Sequence, residues 1–196
     1  MDEPRDSTAY ADAKRAARTE LRTRLLRVAG ERLESEGVEG LSMRPLARAA
    51  GCSTMVFYTE FGSKEGLLAA LADERVERLL EAVETVADID PDAHRRAVAR
   101  AFLAAVSAMP EGYRVVSRLA GGDEAAAQRR NERRATLDAR LTAALDPEAG
   151  LRAGDWVAGV ALALHGAAER IVAGAESLDD LVPVIDALLA GRPGDG

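Results

Sequence analysis

His165 and Glu169 stand four residues apart in a helical stretch, a spacing that puts both on one face. An imidazole beside a carboxylate is the smallest set that could move protons in catalysis. It is also the ordinary form of a satisfied polar pair in a core or pocket, and that reading is favoured. No phosphate loop, dinucleotide fingerprint or metal-ligand spacing occurs in the chain. Two histidines and one cysteine are too few to expect a structural zinc site. Cys52 reads as a small buried hydrophobe; as a redox sensor it would lack a second cysteine to resolve it. No enzyme activity, metal or cofactor is therefore expected.

A different chemistry is written into residues 40–68, GLSMRPLARAAGCSTMVFYTEFGSKEGLL. Ser42 is placed to cap a short helix in which Pro45 falls at the third position, where a missing N–H does little harm. Leu46, Ala47 and Ala50 would bury one side, and Gly51 can take the left-handed conformation that ends the helix. Ser53 is placed to cap a second short helix beginning at Thr54, and Ser63 a long third one. Two short helices joined by a tight turn are a helix-turn-helix, whose second helix enters the DNA major groove.

Gly37, Ser42, Arg44, Leu46, Ala47, Ala50, Gly51, Ser53, Phe57, Tyr58, Phe61, Ser63, Lys64, Glu65, Leu67 and Leu68 carry a resemblance to the DNA-binding domain of the tetracycline-repressor (TetR) family. The aromatic pair Tyr58 and Phe61 followed by Ser63-Lys64-Glu65 is its most specific part. The likeness covers about residues 18 to 70. It implies a homodimer on a palindromic operator of double-stranded DNA. Carried over, Ser42 and Arg44 would touch phosphate or a base edge. Ser53, Thr54, Met55 and Val56 would face the bases, and Tyr58 and Lys64 would hold phosphates. Glu60 departs from the family's frequent aromatic or basic residue; it would either point away or be repelled by phosphate, so that neutralising it should tighten binding. With Thr54 and Met55 in place of basic and small residues, Arg44 is the main candidate for a bidentate contact with guanine.

The net charge of −7 is the wrong sign for such a partner, but it is unevenly spread. Residues 1–70 hold 11 basic and 11 acidic side chains, and residues 71–196 hold 15 and 22. Lys14, Arg15, Arg18, Arg22, Arg24 and Arg27 are interrupted only by Glu20 and lead into the motif. The run reads as a phosphate footprint, with Arg22 a candidate contact; the alternative is an exposed helix face.

At 196 residues and 47% hydrophobic, with only 4% aromatic, the chain suits an all-α fold rich in Leu, Val and Ala. A flexible arm is expected over residues 1–17, the DNA-binding domain over 18–66, an effector-binding and dimerisation domain over 67–190, and a loose tail over 191–196. The first helix should run from about Thr19 to Glu36 and the fourth from Ser63 to about Asp88. Helices should follow over about 92–109, 113–119, 123–145 and 156–173, and a last one with Pro183 inside, either kinked or starting as late as Asp180. Arg129, Arg130, Arg133 and Arg134 read as a solvated face. No apolar run approaches the roughly 20 residues of a membrane span. The N-terminus lacks the apolar core of a signal peptide, so a cytoplasmic protein without a membrane partner is expected.

Residues 156–173 are apolar almost all round. Gly159, Ala163, Gly166 and Ala167 form a small-residue stripe that a partner helix could approach, with Ile185 and Leu188 on the last helix. Two such pairs would make a four-helix bundle between subunits. Phe102, Met109, Tyr113, Trp156 and His165 are the candidates for walls of a small-molecule pocket. Trp156 and His165 are nine residues apart and point to opposite sides, so one serves the pocket and the other the core. The sequence thus reads as a DNA-binding regulator, a repressor released by a largely apolar ligand, with the acidic excess favouring a cation. The alternative is a small-molecule-binding or interaction protein without DNA binding, and Glu60 is its only support.

Overall fold

The computed structural model describes residues 5–86, 90–118, 124–146 and 155–190. Among them are nine α-helices and no strand: α1 Arg5–Glu36, α2 Met43–Ala50, α3 Thr54–Phe61, α4 Lys64–Glu84, α5 Pro91–Ala108, α6 Pro110–Arg118, α7 Glu124–Leu145, α8 Asp155–Val172 and α9 Leu178–Ala190. A short 3-10 turn, Val38–Gly40, links α1 to α2. The chain divides into two compact units, one ending at Leu71 and the other starting at Ala72. Among the described residues, no helix is long and apolar enough to cross a membrane.

In the first unit, Leu25, Val28, Ala29 and Leu33 of α1 are buried with Leu46, Ala47 and Ala50 of α2 and Phe57 and Phe61 of α3. The start of α1 corrects the expected one at Thr19: the helix begins at Arg5. Ala9, Ala11, Ala13, Ala16 and Ala17 supply strong helix propensity with no Gly or Pro to break it. Asp12 and Arg15 add an ion pair one turn apart. From Ala9 to Arg18 every side chain is exposed, which is why periodicity did not reveal the extension.

Two glycines set the geometry of the motif. Gly51 lies at φ 66° and ψ 35°, and the turn closes when Cys52 N–H donates to the Ala47 carbonyl at 2.9 Å. Gly66 faces the end of α3 so closely that a Cβ there would sit 1.9 Å from the Phe61 carbonyl oxygen. Its N–H donates to Ser63 Oγ at 3.1 Å, the expected cap of α4.

In the second unit, α5 packs against α7, α8 and α9, and α6 packs on α8. Val98, Ala99, Phe102, Leu103 and Val106 of α5 are wholly buried. Asp90 caps α5 by accepting the Ala93 N–H at 2.9 Å. Met109 breaks the helix before Pro110 starts α6. The last helix starts at Leu178 rather than Asp180. A reciprocal cap explains this: Ser177 Oγ accepts the Asp180 N–H at 3.3 Å, and the Ser177 N–H donates to the Asp180 carboxylate at 3.0 Å. Pro183 stands inside α9. The fourth helix ends at Glu84, short of the expected Asp88; residues 88 and 89 themselves, the helix stop at Gly121-Gly122, the turn over 147–150 and the tail lie outside the described residues.

Candidate nucleic-acid interface and effector pocket

Ser42 and Ser53 occupy the N-cap positions of α2 and α3 in extended conformation, yet neither makes a side-chain cap hydrogen bond. This corrects the expected capping, and each case has a local cause. The third residue of α2 is Pro45, which has no N–H to donate. The third residue of α3 is Val56, whose N–H donates to the Ser53 carbonyl at 3.1 Å. Both residues are exposed.

The α3 sequence TMVFYTEF splits cleanly by side. Phe57 and Phe61 are one turn apart, buried, with ring centroids 5.9 Å apart. Met55 and Tyr58 face outward, 68% and 49% exposed, and Thr54 and Val56 are half-buried. Thr59, exposed beside Tyr58, belongs to the same surface and was missed by sequence reasoning. Arg44 is exposed and Lys64 half-buried, and neither makes an ion pair or hydrogen bond among the described residues. Cys52 is a free, half-buried thiol. Glu65 holds its carboxyl below the usual range, chiefly through its own backbone N–H and then through the Ser63 hydroxyl.

The basic run on α1 is largely engaged within the fold. Arg15 pairs with Asp12, and Arg27 with Glu31 at 2.6 Å. Arg18 Nε donates to both carboxylate oxygens of Glu60, at 3.1 and 3.3 Å. Arg22 donates to the Glu60 carbonyl at 3.1 Å and lies over the Phe61 ring at 4.8 Å. Glu60 therefore points back to α1, and its side chain is only 7% exposed.

The second unit holds a pocket of about 340 Å³ among α6, α7 and α8, lined by Tyr113, Val116, Ser117, Arg134, Leu137, Leu162, His165, Gly166 and Glu169. Of the candidate ligand residues, Tyr113 and His165 line it. Phe102 packs edge-on behind both, 6.3 and 5.4 Å away between centroids. Met109 is buried off the lining, and Trp156 stands beneath the Arg95 guanidinium, 5.9 Å from its ring. His165 is thus the member of the Trp156/His165 alternative that faces the pocket. The Tyr113 hydroxyl lies 2.9 Å from His165 Nδ1, and His165 Nε2 lies 2.7 Å from Asp138 Oδ1, so the imidazole is held between the two. Ser117 Oγ is buried without a hydrogen-bond partner. Ser117 and Asp138 had no signal in the sequence, because only the packing of α6 and α7 on α8 brings Ser117 to the pocket of His165 and Asp138 against its ring. Arg134, read as part of a solvated face, lines the pocket.

The small-residue stripe on α8 is divided. Gly159 and Gly166 are exposed, Ala163 is half-buried, and Ala167 is buried in the protomer, as is Ile185 of α9. Leu162 is 70% exposed on α8, and Val184 and Leu188 are exposed on α9, Val184 to 60%.

Residues 25–71 match the model of the bacterial regulatory proteins of the tetR family. The fold is similar to that of a TetR-like transcriptional regulator from Rhodococcus sp. RHA1, with 22% identity, a TM-score of 0.61, and 88% of this chain and 97% of that chain covered. It is also similar to the TetR family transcriptional regulator PfmR from Thermus thermophilus, with 22% identity, a TM-score of 0.63, and 89% and 98% covered. A protein of unknown function from Rhodococcus sp. RHA1 shares 28% identity, with a TM-score of 0.66 and 89% and 96% covered. No curated protein matches the chain.

Proposed function

Since the chain belongs to the tetracycline-repressor family and is a DNA-binding transcriptional regulator, we propose that it is a repressor released from its operator by a small ligand. The observation that carries the DNA half is the pair of uncapped N-cap serines beside the outward face of α3. Ser42 and Arg44 meet phosphate or a base edge. Ser53, Thr54, Met55 and Val56 face the bases, with Thr59 beside them, and Tyr58 and Lys64 hold phosphates. Of the expected base-reading set, Ser53 and Met55 are exposed, and Thr54 and Val56 half-buried.

The protein acts as a homodimer through α8 and α9, where Leu162, Val184 and Leu188 offer apolar side chains beside Gly159 and Gly166. The ligand occupies the pocket between α6, α7 and α8. Its body is apolar, to suit Val116, Leu137 and Leu162, and one polar group meets the unpartnered hydroxyl of Ser117, on the wall it shares with His165. Leu162 and Gly166 belong to both the pocket and the exposed face, so an occupant that presses on them biases the dimer toward a form that DNA binds less well. The alternative without DNA binding rested on Glu60, which is turned to Arg18, and no observation favours it.

Selection of duplexes from a random library tests the proposal. An inverted repeat should be enriched, and apolar compounds that raise the melting temperature should lift the protein from it. Enrichment of no sequence sinks the DNA reading; enrichment with no compound acting in either assay sinks the ligand reading alone.

A further inference from the structure

We propose that Glu60 is a positioning residue for DNA recognition, clamped by Arg18 and Arg22 so that it fixes the C-terminal end of the reading helix. The inference rests on α3 being that helix. A carboxylate left free on a DNA-reading helix would oppose the phosphates. Glu60 is not free: Arg18 Nε donates to both its oxygens, at 3.1 and 3.3 Å, and the side chain is 7% exposed. Its backbone is held as well. The last carbonyls of a helix lack partners within it, and in α3 they are supplied from outside. Gly62 N–H donates to the Tyr58 carbonyl and Ser63 N–H to that of Phe61, each at 2.9 Å. Arg22 takes the Glu60 carbonyl at 3.1 Å and covers the Phe61 ring at 4.8 Å. The guanidinium also stands at the negative end of the helix dipole.

α3 has only eight residues, too few to hold a helix or an orientation by itself. Base contacts by Met55 and its neighbours need that orientation, whereas attraction to the phosphates does not. The clamp therefore acts on discrimination between sequences more than on general affinity for DNA. Arg22, occupied by Glu60 and Phe61, contributes no phosphate contact. This reverses the expected gain on neutralising Glu60 and removes Arg22 from the electrostatic footprint.

The test uses the full-length protein, a duplex that the wild type enriches from a random library, and a scrambled duplex of the same length. Glu60→Ala should weaken the enriched duplex by about three- to tenfold, the scale of one charge-assisted bond. Binding to the scrambled duplex and the slope of affinity against salt should not change. Arg22→Gln should leave that slope unchanged too. The exchange Arg18→Glu with Glu60→Arg should restore most of the discrimination, which a role of Glu60 independent of Arg18 could not do. Tighter binding of both duplexes by Glu60→Ala would make Glu60 a repulsive bystander and overturn the proposal. So would equal loss on both duplexes, a slope flattened by Arg22→Gln, or no recovery in the exchanged pair. A wild type that enriches no duplex overturns the reading of α3 itself, a result no Glu60 variant can imitate.

Discussion

The reading unit carries its candidate contacts on side chains that leave the surface, while the second unit turns its candidates inward. On α2 and α3, Ser42, Arg44, Ser53, Met55 and Tyr58 are exposed. All come from one short stretch of chain. In the second unit, Phe102, Tyr113 and His165 come from three helices and are buried against one another. The first arrangement suits a polyanion that arrives from outside and is read by many weak contacts. The second suits a small molecule that must be enclosed, with a few polar atoms to orient it. The difference teaches where damage shows: in the first, side-chain changes alter affinity and leave the fold, whereas in the second, the same atoms serve site and core.

The harshest way to break the comparison is to attack what both units need. Val184→Arg with Leu188→Arg on the outward side of α9 should lower dimer affinity by at least about 100-fold, since two charges would be buried without partners. Sedimentation should find monomers, and binding to the enriched duplex should vanish. A dimer that survives both charges moves the interface elsewhere.

Gly66→Ala comes next. A Cβ placed 1.9 Å from the Phe61 carbonyl oxygen must push α3 and α4 apart. The expected cost is about 2–4 kcal/mol, seen as a lower melting temperature of the first unit. An unchanged melt would show that the close approach is not needed. Here the reading unit should behave like a packed core.

Tyr113→Phe sharpens the contrast from the other side. It removes the hydroxyl facing His165 Nδ1 and keeps the ring packed on Phe102. About 1–2 kcal/mol of stability should be lost, and compounds that raise the melting temperature of the wild type should do so less. DNA affinity without ligand should stay as it is; a fall would mean that the pair serves the reading unit.

Lys64→Gln should weaken binding to enriched and scrambled duplexes alike and reduce the salt slope by about one. Met55→Ala should instead change which duplex is enriched. If the two variants behave the same way, the division between phosphate and base contacts fails.

The smallest effect concerns acid. The Asp180 carboxyl is held below its usual range, first by the Ser177 hydroxyl and then by the Ser177 backbone N–H. A carboxyl lowered by folding lends its full support above its unfolded pKa, and that support is lost as the pH falls through the lowered folded value. The start of α9 should therefore fray only on strong acidification, and Ser177→Ala should move that fraying to higher pH. Amide signals of Leu178 to Leu181 followed through an acid titration would report it. Identical titrations for both proteins would remove the cap from any role in α9.

The amino-acid sequence by itself determined the all-helical class, the helix-turn-helix and which sides of its helices are apolar. These depend on periods of a few residues and on breakers such as Gly51, Pro91 and Pro110, whose effects act within a turn or two. It also determined the cap at Ser63, where donor and acceptor are neighbours in the chain. It did not reveal the helix before Thr19, because exposed alanines carry propensity without a pattern. Only the tertiary structure decided the partners of the charges and polar groups. Glu60 reads as a misplaced carboxylate until α1, 42 residues earlier, brings Arg18 to it. Trp156 and His165 diverge on any ideal helix, but only the packing of α6 and α7 on α8 showed which one meets a pocket. Serine at an N-cap position was legible, yet its free hydroxyl followed from the backbone around Pro45 and Val56. The physical reason is range: helix formation is summed over near neighbours, whereas a hydrogen bond or ion pair holds over a few ångströms in space and is indifferent to separation along the chain.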